Sequence, residues 1–448
     1  MVDVAPLRSA VSGPVLVPGD EGFAAETTGF NLFYAHGPEV VVGVTSVADA
    51  VAAVTFAHEN RMPLRVLATG HGSHELITDG VLVTTSRLDD LAVDASTGIA
   101  TIGAGVRWGA VVAAGAEHGL APITGSSTNV GVVGYLLGGG LGPLSRSHGF
   151  SSDYLRAVTV VLASGDVVRA SSTENSDLFW ALRGGKGGLG LVVSVELQLA
   201  SIPSLYAGSL VFSEEHLETV LRGWIAWTAA APDDVTTSIA IMHFPPVEQV
   251  PEMFRGRTLA MLRFAHPGSG GEPLAAELRD LAPAMLDALG PLPLADVATI
   301  HNDPVDPSPS WSRGALLNDL DGEFATTVLQ SVGAGVATPI MVTEIRHLGG
   351  ATRHDVPEGS SVGGRASGFA LSMVGMPDPS LFAEALPRAT DALLTSIAPW
   401  ISPQTTINFA GSPSAEDFAR AWPADTFARL AAIRAEVDPD GLFAYGPA

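Results

Sequence analysis

The chain reads as an α+β protein built from two domains. Three observations predict this. At 448 residues it is longer than one ordinary core supports, since domains run to roughly 150 residues each. Its first two hundred residues or so alternate short apolar strands, helical stretches and glycine turns, the pattern of an α/β unit. After Ile202 and Pro203 the texture shifts to strands with interspersed helices, which predicts an α+β unit with a largely antiparallel sheet.

The apolar run 40–44 predicts a first strand, followed by Ser46 as N-cap with Asp49 three residues on and then an Ala/Val-rich helix. Residues 64–68, 81–85, 99–103 and 155–162 read as further strands, the first of them broken by Thr69-Gly-His-Gly-Ser-His74. Residues 175–182 read as a helix. In 191–199 Val193, Val195, Leu197 and Leu199 alternate with Ser194, Glu196 and Gln198, the signature of a half-buried strand. The second half holds strands at 205–211, 237–242, 258–264, 340–346 and 367–374, and a helix at 216–229. Residues 267–271 and 301–310, rich in Gly or in Pro and Asp, are loops. The tail adds a strand over 405–410 and a helix over 423–436.

Composition narrows the function. Hydrophobic residues make up 46% and charged residues 16%, enough apolar material for a substantial core and too little charge for a disordered chain. A formal charge of −24, with no run of Lys and Arg, argues against nucleic acid and anionic membrane surfaces as partners. The sequence holds no cysteine, which excludes disulfides, thiolate metal sites and thiol catalysis. The first residues lack a basic segment followed by an apolar one, so a cytoplasmic protein is expected. Plentiful Ala, Gly, Pro and Asp with few Lys fit a GC-rich bacterium.

The chemistry is marked by glycine. Residues 125–142 hold seven glycines and no charged side chain. Such a stretch serves either as a bare backbone pressed against a cofactor phosphate or ring, or as a buried turn between core strands. In Arg183-Gly-Gly-Lys-Gly-Gly-Leu-Gly190 the spacing Gly185-x-Gly187-x-x-Gly190 matches the dinucleotide fingerprint formally. That motif must follow a strand and open a helix, whereas here a helix precedes and a strand follows, so a Rossmann site is not predicted. Three glycine clusters in one half, around His71, at 125–142 and at 185–190, are best explained by one extended ligand with phosphates, the size of a dinucleotide. His71 stands between Gly70 and Gly72, where an imidazole can act as base, ligand or nucleophile. His71-x-x-His74-Glu75 is the nearest approach to a metal motif, and no metal site is expected.

Taken together, Arg65-Val-Leu-Ala-Thr-Gly-His71, the tract 125–142, Ser145-Arg-Ser-His-Gly149 with Asp153, and Asn175-Ser-Asp-Leu-Phe-Trp-Ala-Leu-Arg-Gly-Gly185 resemble the FAD domain of the vanillyl-alcohol oxidase and para-cresol methylhydroxylase (PCMH) superfamily. The berberine-bridge-enzyme-like oxidases are the most similar branch. The resemblance extends through Glu344-Ile-Arg-His-Leu-Gly-Gly350, Asn408-Phe409 and residues 433–443, so it covers nearly the whole chain. It implies a PCMH-type FAD domain from residues 1–202 and 405–448 and a substrate domain from 203–404. It further implies FAD bound covalently by an 8α-histidyl bond through His71, with the pyrophosphate over Thr69, Gly70, Gly72 and Ser73. His74 is a rival attachment point. The cofactor set implied by the resemblance continues with Gly125, Ser126, Ser127, Val130, Gly131, Gly134, Tyr135, Gly138, His148, Gly187, Gly190, Val192, Asn408 and Phe409. Many members add a second flavin bond from a cysteine at the position of Ser127, which this chain cannot form. Val130 occupies a position where a small residue resembles the oxidases, favouring O2 as acceptor. Leu67, Thr69, His148, Gly188 and Phe409 depart from the usual pattern.

A flavin that takes a hydride from an alcohol works with a base for the hydroxyl proton. Glu344 and Arg346 share one face of an alternating strand and Ile345 and His347 the other, so either pair faces the flavin depending on register. Glu344 is the first choice and His347 the second, with Arg365, Trp311 and His301 behind them; a salt-bridged sheet face is the alternative for the charged pair. The expected activity is oxidation of a small-molecule organic alcohol or secondary metabolite with reduction of O2 to H2O2, by a monomer or small homo-oligomer. The rivals are a dehydrogenase with another acceptor and a flavin-binding protein without turnover.

Overall fold

The computed structural model describes residues 2–411, 415–443 and 445. Its first domain holds two sheets. In one, Val40–Gly43, Val81–Thr84 and Leu64–Leu67 run parallel, with Val15–Leu16 antiparallel on the edge. The strand residues 40–43 and 81–84 are buried on both faces, as parallel strands under helices are. Ser46 accepts the Asp49 N–H at 3.1 Å and caps the helix Val47–Glu59, as its position predicts. The second sheet is antiparallel, in the order Leu91–Asp94, Ile99–Gly103, Leu191–Gln198, Leu155–Val161, Val167–Ser171. In its central strand Val193, Val195 and Leu197 are buried while Ser194, Glu196 and Gln198 are half-exposed, the alternation the sequence displays.

The substrate-side domain is one large antiparallel sheet, in the order Leu205–Phe212, Thr258–Pro267, Thr236–His243, Ile340–His347, Phe369–Gly375, Ser312–Leu317, with two-residue strands along the first of these. Helices Leu217–Thr228, Gly322–Val332 and Ala385–Ser396 bury Trp224, Phe324 and Leu386 against one face. Its other side turns to the first domain.

The chain then returns. Phe418, Trp422, Leu430, Ile433, Leu442 and Phe443 belong to the same apolar core as the first domain's sheets, and Leu64 N–H donates to the Leu442 carbonyl at 2.8 Å. The Asp438 carboxylate accepts from Leu442 and Phe443 N–H, both at 2.7 Å, which ends the helix Ala424–Val437 and turns the chain back toward that strand. The strand expected over 405–410 is not formed: residues 407–409 make a turn. The apolar alternation there reflects side chains inserted between the domains rather than a ladder.

Two devices tie the domains together. Arg146, on the short helix Ser145–His148, is buried. It donates to the carbonyls of Val235 at 2.7 Å, Pro232 at 3.0 Å and Leu348 across the seam. The loop before Ser312 lies as a strap over the first domain: Leu32 and Phe30 exchange backbone bonds with Ser308, both at 3.1 Å. Asn31 brackets Ser310 through bonds of 3.0 and 2.9 Å, and Asn129 donates to the Val305 carbonyl at 2.8 Å. Replacing Arg146 by Met would leave the buried carbonyls of Val235 and Leu348 without this donor. Urea unfolding of Arg146→Met is expected to show a loss of about 3 kcal/mol, against an unchanged midpoint if the seam contributes nothing.

Candidate flavin-binding active site

Between the domains lies a cavity of about 570 Å³, within the size range of cofactor and ligand sites. Four distant parts of the sequence supply much of its wall. The loop after Leu64–Leu67 contributes Thr69, Gly70, His71, Gly72, Ser73 and His74. The glycine tract contributes Gly125, Ser126, Ser127, Val130, Gly131, Gly134 and Tyr135, the third cluster Gly187, Gly190 and Val192, and the tail Asn408 and Phe409. Of the residues picked out in the sequence for a cofactor, Gly138 and His148 lie off this lining. Gly138 sits directly behind it, where any side chain would collide with the Asn408 amide. His148 bonds the Ser147 hydroxyl at 2.7 Å and leans on Tyr154, away from the cavity.

The backbone is bare where the cavity needs it. Gly70 adopts φ +73° and a Cβ there would stand 2.6 Å from the Gly29 Cα, so only glycine fits. At Gly72 and Gly134 a Cβ would meet no atom within 4 Å and would project into free space at the cavity wall. His71 is the reactive group of this loop. Its ring stacks on Phe30 with centroids 3.8 Å apart, its Nδ1 bonds the Thr69 hydroxyl at 2.9 Å, and its Nε2 is buried without a partner. The same Thr69 oxygen accepts the Gly131 N–H at 3.3 Å, which ties the histidine loop to the glycine tract. Burial, aided by the Arg107 charge, pushes the imidazole down to about 4, so it is neutral at physiological pH. A neutral, oriented imidazole with one unpartnered buried nitrogen beside a bare-backbone cavity fits a flavin dinucleotide. His74 bonds the Gly72 carbonyl through Nδ1 at 3.1 Å.

The substrate domain answers the question of register. Arg346 reaches the cavity, lying 5.1 Å from the Phe409 ring centroid and donating to the Leu141 carbonyl at 3.3 Å. Glu344, on the same face, stays beneath it. Its carboxylate accepts from Arg346 at 2.8 Å, Arg263 at 3.0 Å and the Ser238 hydroxyl at 2.8 Å, with His301 Nε2 at 3.3 Å. Burial opposes ionisation, but the Arg346 and Arg263 charges outweigh it and hold the carboxyl well below the usual carboxylate range. Glu344 is not among the lining residues and its carboxylate is already taken up by these partners, unlike the free substrate base expected from the sequence. His347 is corrected likewise: it faces the other way, stacked on Phe369 with centroids 5.1 Å apart and bonded to Arg146 at 3.0 Å. Burial and the neighbouring Arg146 and Arg353 charges push it down to about 3. Arg365 is bound to Asp153 at 2.6 Å and Asp355 at 3.0 Å, a structural role.

Trp311 does line the cavity, as do Phe33 and Tyr34 of the first domain. Among the lining residues that escaped the sequence reading, two carry charge. Asp303 is the carboxylate that the substrate domain contributes to the described lining, and Lys186 reaches in from the third glycine cluster. Asp303 sits in a loop that composition marks only as turn-rich, and Lys186 hides inside a string read for its glycines.

Comparison with known proteins agrees with this geometry. Residues 38–171 match the FAD binding domain family FAD_binding_4. Over nearly their whole lengths, the chain is 25% identical to (R)-6-hydroxynicotine oxidase of Paenarthrobacter nicotinovorans, covering 97% of this chain and 96% of the relative. It is also 25% identical to an uncharacterized FAD-linked oxidoreductase of Bacillus subtilis, covering 98% and 97%. Among solved structures, 6-hydroxy-D-nicotine oxidase from Arthrobacter nicotinovorans superposes with a TM-score of 0.85 at 23% identity, covering 99% of this chain and 98% of that one. A BBE-like protein of Physcomitrella patens superposes at 0.86 with 19% identity, covering 99% and 98%. Glucooligosaccharide oxidase from Acremonium strictum, described with a 6-S-cysteinyl, 8α-N1-histidyl FAD, superposes at 0.80 with 22% identity, covering 98% and 96%. Residues 38–171 thus form a FAD binding domain of that family, and the chain over nearly its whole length has the fold of these flavoproteins. It is a FAD-linked oxidoreductase.

The Glu344 pairing has a measurable pH signature. Because its pKa in the fold is held below the ordinary value of 4.5, its contribution to stability is complete above that value and is lost as pH falls through the lowered one. Glu344→Gln is expected to be less stable at pH 7 and to lose less further stability between pH 5 and 3 than the parent. Parallel slopes in acid titrations of the unfolding midpoint would contradict this.

Proposed function

We propose that the protein is an oxidase that carries FAD covalently on His71, takes a hydride from an organic alcohol or secondary metabolite, and reduces O2 to H2O2. The observation that carries this reading is His71 itself: a neutral imidazole clamped by Phe30 and Thr69, with an unpartnered buried nitrogen on the cavity wall. Neutrality matters because only an unprotonated ring nitrogen has the lone pair to form a carbon–nitrogen bond. With no cysteine in the chain, a second, cysteinyl tether cannot form. The flavin, when bound, supplies the ring that accepts the hydride and passes the electron pair to O2.

The chain's own residues supply orientation and the proton path. Oxidising a secondary alcohol to a ketone sends the carbon-bound hydrogen to the flavin as hydride and the hydroxyl proton to a base. Asp303 is our candidate for that base in place of Glu344 and His347, with Arg346 as the opposite charge that orients the substrate oxygen. Phe33, Tyr34, Trp311 and Phe409 give the cavity an aromatic lining, which supports an apolar or aromatic substrate. The small Val130 on the wall and the oxidases among the relatives support O2 as acceptor over a carrier.

Acid precipitation of the purified protein is expected to give a yellow pellet, lost in His71→Ala and kept in Ser127→Ala; flavin released to the supernatant would refute the covalent reading. Asp303→Asn should lower kcat about 100-fold at unchanged flavin content. Stopped-flow mixing of the reduced protein with O2 should reoxidise the flavin within turnover time, and a rate far below turnover would move the assignment to a dehydrogenase.

A further inference from the structure

The sequence contains one lysine, Lys186, beside 22 arginines. That lysine lies in the wall of the cavity. Its backbone takes φ +67°, the left-handed region that a side chain adopts only against a steric cost, although both neighbours, Gly185 and Gly187, are glycines that would adopt it freely. Its Nζ donates to the Gly134 carbonyl at 2.7 Å and to Asn408 Oδ1 at 2.8 Å. Both acceptors are neutral, and among the described residues no carboxylate pairs with it. An ammonium has three N–H donors, so one remains for whatever fills the cavity. Burial pushes the ammonium down to about 8, leaving it mostly charged at neutral pH.

The geometry points to Lys186 as a cation held against the isoalloxazine ring of bound FAD, where it stabilises the negative charge the ring gains on hydride reduction. This rests on the reading that FAD fills the cavity. Two observations favour the ring over the phosphates. Lys186 is anchored to Asn408, whose neighbour Phe409 meets Arg346 and the Gly314 backbone of the substrate domain. It therefore stands at the seam where substrate and ring must meet. Residue choice points the same way: a planar guanidinium matches phosphate bidentately, whereas an ammonium is a compact point charge. A chain that uses arginine at every other basic position keeps its one lysine where a point charge fits between a carbonyl and an amide.

The test uses FAD-loaded protein and sulfite, which adds to oxidised flavin and leaves a negative charge on the ring. Lys186→Met and Lys186→Gln are expected to weaken sulfite binding at least tenfold and to lower the two-electron midpoint potential, by about 30 mV for each factor of ten. Lys186→Arg should stay near the parent. Gln retains a hydrogen-bond donor without the charge, so a Gln variant that binds sulfite like the parent would overturn the proposal even if the Met variant does not fold. Reduced FAD retention with unchanged sulfite affinity in the Gln and Met variants would assign the lysine to the phosphates and overturn it as well. A parent protein that purifies without FAD would instead overturn the reading of the cavity on which this rests.

Discussion

The burial of one carboxylate organises the space in which the chemistry takes place. Glu344 carries its charge in the interior because Arg346, Arg263 and Ser238 close around it, and removing one partner of such a set would leave a buried charge unmatched. The cluster pins Arg346 so that its guanidinium reaches past the sheet to Phe409 and Leu141. The substrate domain thereby presents a fixed positive group to the first domain. The ion pair acts as a support for the group that does face the cavity.

The cavity is made by opposing tendencies along the chain. The first domain supplies backbone without side chains, at Gly70, Gly72 and Gly134, so that a large flat ligand can lie close to peptide groups. The substrate domain supplies side chains without open backbone, since strands in a continuous sheet have their N–H and C=O groups paired. The bare backbone and the Arg346 guanidinium thus reach the cavity from different domains, and the returning tail, with Asn408 and Phe409, joins the two.

Much of the fold was legible because burial writes a period into the sequence. The alternation in 191–198, the cap at Ser46 and the helix beginning near 217 recur in the structure within a residue or two. What was illegible had no local signature. A charged residue on an alternating strand reads the same whether it meets a ligand or other charges; Glu344 finds Arg263 81 positions away, and no sequence window contains both. The strand expected at 405–410 failed for a related reason, since a turn that packs between domains can display the same apolar spacing as a ladder. In the cofactor half, the glycine clusters pointed to the lining well, because the need for a bare backbone is itself local. His148 misled because the family position was carried over to a side chain that here turns to Tyr154.

Phe30, which holds His71 flat, belongs to a segment that is itself stitched to the substrate domain through Ser308 and Ser310. The histidine's orientation is therefore not a property of the first domain alone. Phe30 also donates its N–H to the Thr69 carbonyl at 2.8 Å, so the ring that packs on His71 is shared between the histidine loop and the strap, and a change in the strap can be felt at the imidazole without touching the loop that carries it.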